Sequence, residues 1–214
     1  MFDVSQAKTT LHTIRLLMEK NRDRLIELDS AVGDGDLGLT MCKAFIAADQ
    51  ELGESSETDV GRFLMQAGIT MAKAAPSTIG TLVGTGFMRG GKALKDKTEC
   101  SPSDIAAFFR AFSDGVMERG KAKPGNKTIV DVLEPAAVAA EKAASSGDMV
   151  TVAMAILDAA GKGEEAARGM MSEHGKAAIY REQTIGKPDP GAVAGRLIIE
   201  AFVAVLLQAS GNDR

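Results

Sequence analysis

Apolar residues return every three or four positions along this chain, and no segment alternates apolar and polar residues at the two-residue period of a half-buried strand. Ile105, Phe108, Phe109, Phe112 and Val116 form one such stripe, and Leu11, Ile14, Met18 and Leu25 form another. A chain patterned this way hides its apolar surface only by packing helix on helix, so the expected fold class is all-α. Recognisable helix starts support it: Ser101 before Pro102 with Asp104 three positions on, Thr128 with Asp131 three on, and Asp189 before Pro190. The pattern predicts eight helices at roughly 4–28, 38–52, 58–75, 78–96, 102–121, 128–145, 149–174 and 190–210. The last, AVAGRLIIEAFVAVLLQA, is apolar on most faces and belongs at the centre.

With 214 residues, 45% of them hydrophobic, the chain can bury a large core, and one domain over 1–214 is expected. A net charge of −4 without any Lys/Arg-rich run argues against nucleic acid and against a charged membrane surface as partners. Cys42 and Cys100 lack metal-ligand spacing and are expected as reduced thiols. The N-terminal residues lack the apolar core of a signal peptide, no stretch reads as a membrane span of ~20 apolar residues, and a cytoplasmic location is expected.

The loop LDSAVGDGDLGLT carries the densest chemistry. Asp29, Asp34 and Asp36 lie within eight residues of one another, and Gly33, Gly35 and Gly38 let the backbone fold so that the carboxylates converge. Converging carboxylates repel unless a hard cation takes their oxygens, and Mg2+ is the natural candidate. A solvated acidic turn joining two helices, with Asp36 as a cap, has an equal claim on composition alone. An EF-hand is excluded, because the twelfth position from Asp29 or Asp34 is Thr40 or Phe45 instead of Glu. The G-x-G-x-x-G match at Gly33, Gly35 and Gly38 follows a helix where a dinucleotide fold needs a strand, and its aspartates would repel a bare pyrophosphate. In GFMRGGKA, Gly86, Gly91 and Lys92 have phosphate-loop spacing, but Ala93 stands where Ser or Thr would hold Mg2+. Its glycines are better read as a helix surface that lets neighbours approach closely.

Three further segments are ambiguous singly. Pro76-Ser77-Thr78-Ile79-Gly80-Thr81 places hydroxyls and a glycine at a helix start, where free N–H groups suit an anion, but ordinary capping by Ser77 or Thr78 explains it equally. Lys176 and the Asp189-Pro190-Gly191 turn read as a solvated lysine and a helix cap. Lys121, Lys123 and Lys127 around Pro124-Gly125 read as a solvated basic loop, and neither His12 nor His174 has a partner pattern for nucleophilic catalysis.

Taken together, LDSAVGDGDLG, GTLVGTGF, GKAKPGNKTIVDVLEPA and IGKPDPGA resemble the successive signatures of the DhaL-type nucleotide-binding subunit of bacterial dihydroxyacetone kinase, in family order and spacing over nearly the whole chain. The resemblance implies a barrel of about eight antiparallel amphipathic helices, with ADP or ATP at one end and two Mg2+ ions bridging its phosphates to the aspartate loop. It implies Asp29, Asp34 and Asp36 as metal ligands. It places nucleotide contacts on Gly38 and Thr40, on Ser77, Thr78, Ile79 and Gly80, on Gly120 and Ile129, and on Lys176 and Asp189, Pro190 and Gly191. Three departures from the family stand out: Leu37 stands where a histidine is usual, PSTIG replaces GGASG with only Gly80 matched, and Lys176 replaces an arginine, keeping charge but losing bidentate geometry.

The resemblance further implies that the substrate is held on a separate DhaK-type subunit through a histidine, so this chain alone is inactive. The implied reaction is phosphoryl transfer from the bound nucleotide to dihydroxyacetone or a related small ketose. The nucleotide either stays bound as ADP and is rephosphorylated by a DhaM-type phosphocarrier, or exchanges as ATP. Two other classes of function compete: a non-catalytic nucleotide-sensing adaptor of the same fold, and a helical bundle holding an apolar ligand in its interior.

Overall fold

The apolar stripes are buried between packed helices. The computed structural model describes residues 1–211, and its helices are α1 (Val4–Lys20), α2 (Arg22–Ser30), α3 (Leu37–Leu52), α4 (Val60–Ala74), α5 (Thr78–Ala93), α6 (Pro102–Gly120), α7 (Val130–Ala144), α8 (Met149–Arg168) and α9 (Pro190–Gly211). A 3-10 segment, Lys176–Thr184, lies between α8 and α9. Among the described residues the sheet content is two dipeptides, β1 (Phe2–Asp3) and β2 (Glu99–Cys100), paired antiparallel with Phe2 opposite Cys100.

The helices close into a ring. Neighbours pack in the order α1, α3, α4, α5, α6, α7, α8, α9, and α9 packs back on α1, while α2 lies against α3 and α9. This is an all-α barrel of eight helices with one extra short helix. Its centre is filled with rings: Phe87 meets Phe45, Phe108 and Phe112, and Phe202 meets Phe2, Phe108 and Phe109 at centroid distances of 5.2 Å. Phenylalanine therefore occupies the interior in which an apolar ligand would have had to sit.

Glycine sets how closely α4 and α5 approach. A Cβ on Gly68 would lie 2.4 Å from the carbonyl oxygen of Gly84, and one on Gly91 would lie 2.6 Å from that of Gly61. Of the GFMRGGKA glycines, Gly91 serves this seam, while Gly86 and Gly90 admit the rings of Phe112 and Phe108 from α6, so the segment lets neighbours approach closely, as expected.

Capping fixes several boundaries. Ser101 and Asp104 form a reciprocal capping box, and Asp3 with Gln6 forms another. Three expectations need correcting. The helix expected over 4–28 breaks at Asn21, whose side-chain amide donates to the Leu17 carbonyl at 2.9 Å and so competes with the next helical bond. The helix expected over 149–174 stops at Arg168, because the carbonyls of Arg168 and Met170 turn to Lys127. Finally, Pro190–Ser210 is long and apolar enough to cross a membrane by length and composition, but 72% of its apolar window is buried inside the barrel. Being surrounded by α1, α7 and α8 accounts for its composition.

Candidate functional site

The aspartate loop folds tightly between α2 and α3. Asp29, at the end of α2, reaches across it: its Oδ2 accepts from the backbone N–H of Asp36 at 3.0 Å and of Leu37 at 3.3 Å, capping α3 from outside the helix. Gly35, at φ 75°, makes the turn that permits this. Asp36 stands at the N-cap position of α3 but makes no side-chain cap bond, so its carboxylate is left free. Oxygens of Asp29, Asp34 and Asp36 all lie within 4.8 Å of one another.

The charges around the loop are unbalanced. Asp34 pairs with the ammonium of Lys176, 142 residues further along the chain, which holds the Asp34 carboxyl below its ordinary value and raises Lys176. Asp36 is pushed the other way by burial and by the neighbouring Asp34 and Asp29 carboxylates. A divalent cation would relieve that repulsion, and three mutually close carboxylates on an open loop are oxygen ligands of the type Mg2+ takes. The donor set fits.

The loop forms one edge of a cavity of about 510 Å3. Its wall brings together Asp29, Asp34, Asp36, Ser77, Thr78, Ile79, Gly120, Ile129, Lys176, Asp189, Pro190 and Gly191 from six stretches of sequence. Gly38, Thr40 and Gly80 lie outside the wall. Gly38 is buried where a Cβ would meet the Arg22 carbonyl at 2.3 Å, Thr40 is buried within α3, and the Gly80 N–H donates to Ser77 Oγ at 3.1 Å. Leu37 is 5% exposed and faces the cavity.

The amino ends of α3, α5, α7 and α9 all open on this cavity, whereas α6 brings its carboxyl end there. The alternate helices α3, α5, α7 and α9 therefore point the same way, and α6 runs antiparallel to its neighbours α5 and α7. The amino ends of α5, α7 and α9 bring partial positive charge to this wall, and the carboxylate triad stands on the same cavity at the amino end of α3. A ligand that satisfies both is an anion carried with a divalent cation.

Beneath α9, Asp189 is 7% exposed and caps the helix by accepting from the Ala192 N–H at 2.8 Å, and burial pushes its carboxyl up to about 7. Several wall residues escaped the sequence reading. His174 lines the cavity. Lys121 and Lys123 are exposed as expected, but Lys127 is 2% exposed, which corrects the solvated-loop expectation. It sits at φ 57° and points inward, and burial lowers its ammonium while Asp189 opposes that shift. Asp131, also buried, accepts from the N–H groups of Gly125 at 2.6 Å and Thr128 at 2.7 Å, which holds the loop before α7. Only the Thr128–Asp131 spacing, read as a helix start, signalled part of this arrangement.

Residues 31–204 match the model of the DAK2 domain. The chain belongs to the DAK2-domain family. Among the relatives of this DAK2 chain, the ADP-binding subunit DhaL of the PEP-dependent dihydroxyacetone kinase of Escherichia coli K12 is 33% identical over 173 residues, covering 79% of this chain and 81% of that protein. The L-erythrulose kinase of Pectobacterium atrosepticum is 31% identical over 201 residues, covering 92% of this chain but 34% of that longer protein. The crystal structure of the dihydroxyacetone kinase from C. freundii in complex with AMP-PNP and Mg2+ aligns with a TM-score of 0.70 at 21% identity, over 92% of this chain and 33% of that one. That likeness shows that the DAK2 chain shares its barrel.

Proposed function

We propose that this chain is the nucleotide-binding subunit of a dihydroxyacetone-kinase system, holding ADP or ATP with two Mg2+ ions in the cavity at the end of the barrel. The observation that carries the reading is the meeting of three carboxylates, Lys176 and four helix amino ends around one cavity of about 510 Å3. That volume falls within the range of roughly 300–1,000 Å3 usual for small-molecule sites. Asp29, Asp34 and Asp36 hold the metal. Bound there, Mg2+ supplies neutralisation of phosphate charge during phosphoryl transfer. The helix ends at Ser77–Ile79 and at Asp189–Gly191 orient the nucleotide, with Gly120 and Ile129 beside it, and Lys176 brings a cation to the phosphates. Gly38, Thr40 and Gly80 support the neighbouring backbone from behind.

In this reading the acceptor is dihydroxyacetone or a related small ketose, presented by a separate DhaK-type subunit at the open face of the aspartate loop. A four-carbon ketose stays a candidate because of the relative named as an L-erythrulose kinase. The name of the Escherichia coli relative supports the mode in which ADP stays bound and a DhaM-type phosphocarrier recharges it. A cytoplasmic location, where ADP and ATP are supplied, agrees with this reading.

Calorimetric titration of Mg-ADP and Mg-ATP into wild type and Asp34→Ala, after native mass spectrometry of protein purified without added nucleotide, tests the proposal. Mg-dependent binding that the variant loses is the expected result, and ADP retained through purification selects the bound-coenzyme mode. A wild-type chain that binds neither nucleotide overturns the assignment. Binding that never supports transfer with a cognate substrate subunit moves the assignment to an adaptor.

A further inference from the structure

A lysine on a loop ordinarily keeps its ammonium in water. Lys127 buries its own, from a left-handed backbone position that residues other than glycine adopt only when their surroundings impose it. Inside, Nζ donates to three carbonyl oxygens: Arg168 and Met170, each at 3.1 Å, and Thr184 at 2.6 Å. An ammonium has three protons, and all three are satisfied.

The acceptors belong to the two roots of one excursion of the chain. Arg168 and Met170 lie where it leaves α8, and Thr184 lies shortly before it enters α9. Between those roots the chain carries His174, Gly175 and Lys176 onto the cavity wall, with Lys176 on Asp34. Other bonds join the same roots: the Gly186 N–H donates to the Arg168 carbonyl at 2.7 Å, and the Ser172 N–H to Thr184 Oγ1 at 2.9 Å. The loop that supplies Lys127 is fixed in turn by Asp131, and the next residues, Thr128 and Ile129, are themselves wall residues.

We propose that Lys127 is a positioning residue, whose ammonium ties both roots of the 169–188 excursion to the loop before α7 and so sets where Lys176 meets the aspartate loop and the nucleotide phosphates. The proposal rests on the nucleotide reading of the cavity. Arginine cannot substitute, because a planar fork does not present three protons from one nitrogen to three converging carbonyls. Methionine keeps the length and the apolar stem but none of the donors.

The test is a double-mutant cycle on the full chain: wild type, Lys127→Met, Lys176→Met and both together. Mg-ADP affinity is read by calorimetry, and amide exchange is read on the ligand-free protein. Lys127→Met is expected to leave protection in α1 and α4–α6 unchanged, to speed exchange over residues 170–187, and to weaken Mg-ADP by on the order of tenfold. In the Lys176→Met background the same change should cost less than about twofold, because its effect passes through Lys176. Equal losses in both backgrounds overturn the proposal, since Lys127 would then act on the fold alone, and so does unchanged exchange over 170–187. Wild type that fails to bind Mg-ADP sinks the nucleotide reading, and the positioning role with it, while the exchange arm still decides whether the ammonium holds the excursion. If Lys127→Met loses protection throughout, Lys127→Gln, which retains two donors, takes its place in the cycle.

Discussion

Asp29 and Asp36 are both loop carboxylates, yet the hydrogen bonds around them give them different duties. Asp29 caps α3 as well as belonging to the proposed cation site, whereas Asp36 makes no cap bond and only adds charge. Asp29→Ala should therefore lower ligand-free stability by about 1 kcal/mol, the usual cost of a lost cap, and abolish Mg-dependent binding. Asp36→Asn should abolish the binding without lowering the ligand-free melting temperature, because it removes one of three repelling charges. Denaturation and calorimetry on the two variants separate these outcomes. Asp189 gives a pH prediction. Its folded value of about 7 lies above the ordinary 3.8, so the folded chain holds a proton that the unfolded chain has released between those values. Stability from this group is present below about pH 4 and is lost as pH rises towards 7, by about 4 kcal/mol at most. Urea midpoints of wild type and Asp189→Asn across that range should diverge accordingly, and parallel curves would contradict the assignment. The aspartate loop was legible in the sequence because its members are local and its glycines announce a turn. Lys127 was not, because its partners lie more than 40 residues away and nothing in Pro124-Gly125-Asn126-Lys127 announces a left-handed lysine facing inward.

Within single elements, α8 shows how differently two neighbouring glycines can act. Pro135 in α7 has no N–H to give the Asp131 carbonyl, and α8 closes over that freed oxygen: a Cβ on Gly163 would sit 2.2 Å from it. At Gly161, two positions earlier, the nearest atom to an added Cβ is in the Arg196 guanidinium at 3.8 Å. Gly161→Ala should stabilise the chain by roughly 0.5–1 kcal/mol through helix propensity alone. Gly163→Ala should destabilise it by about 1–3 kcal/mol and also weaken nucleotide binding, since it pushes on the residue whose carboxylate holds the loop before α7. Equal effects at the two positions would mean that α8 does not bear on Asp131 as described. Helix existence was readable from the 3.6-residue period throughout, because every ring helix buries one face. The break at Asn21 and the early end of α8 were not, since both depend on which partner wins a carbonyl rather than on the apolar pattern.

At the scale of the whole barrel, the ring is closed by α9 on α1, its middle is packed with phenylalanine, and the binding chemistry lies at one end. That end is assembled from segments that span the chain, from Asp29 to Gly191, so a ligand there ties together elements that local contacts leave separable. Mg-ADP at a hundred times its dissociation constant should add about 2.7 kcal/mol to the folded state, which for a chain of this size raises the melting temperature by roughly 5–10 °C. Added protection from amide exchange should concentrate in residues 29–37, the starts of α5, α7 and α9, and the 170–187 excursion, and should leave the α4–α5 glycine seam unchanged. A chelator should remove both effects together, because the phosphates and the carboxylates are held compatible only through the cation. Protection spread evenly over the ring, or a melting shift that survives the chelator, would place the ligand elsewhere than on the aspartate loop. The partition follows from the architecture: rings and close-packed glycines fix the barrel wall independently of ligand, whereas the open end gathers the amino ends of α5, α7 and α9 and three carboxylates on one cavity, a balance that the Lys176–Asp34 pair completes only in part.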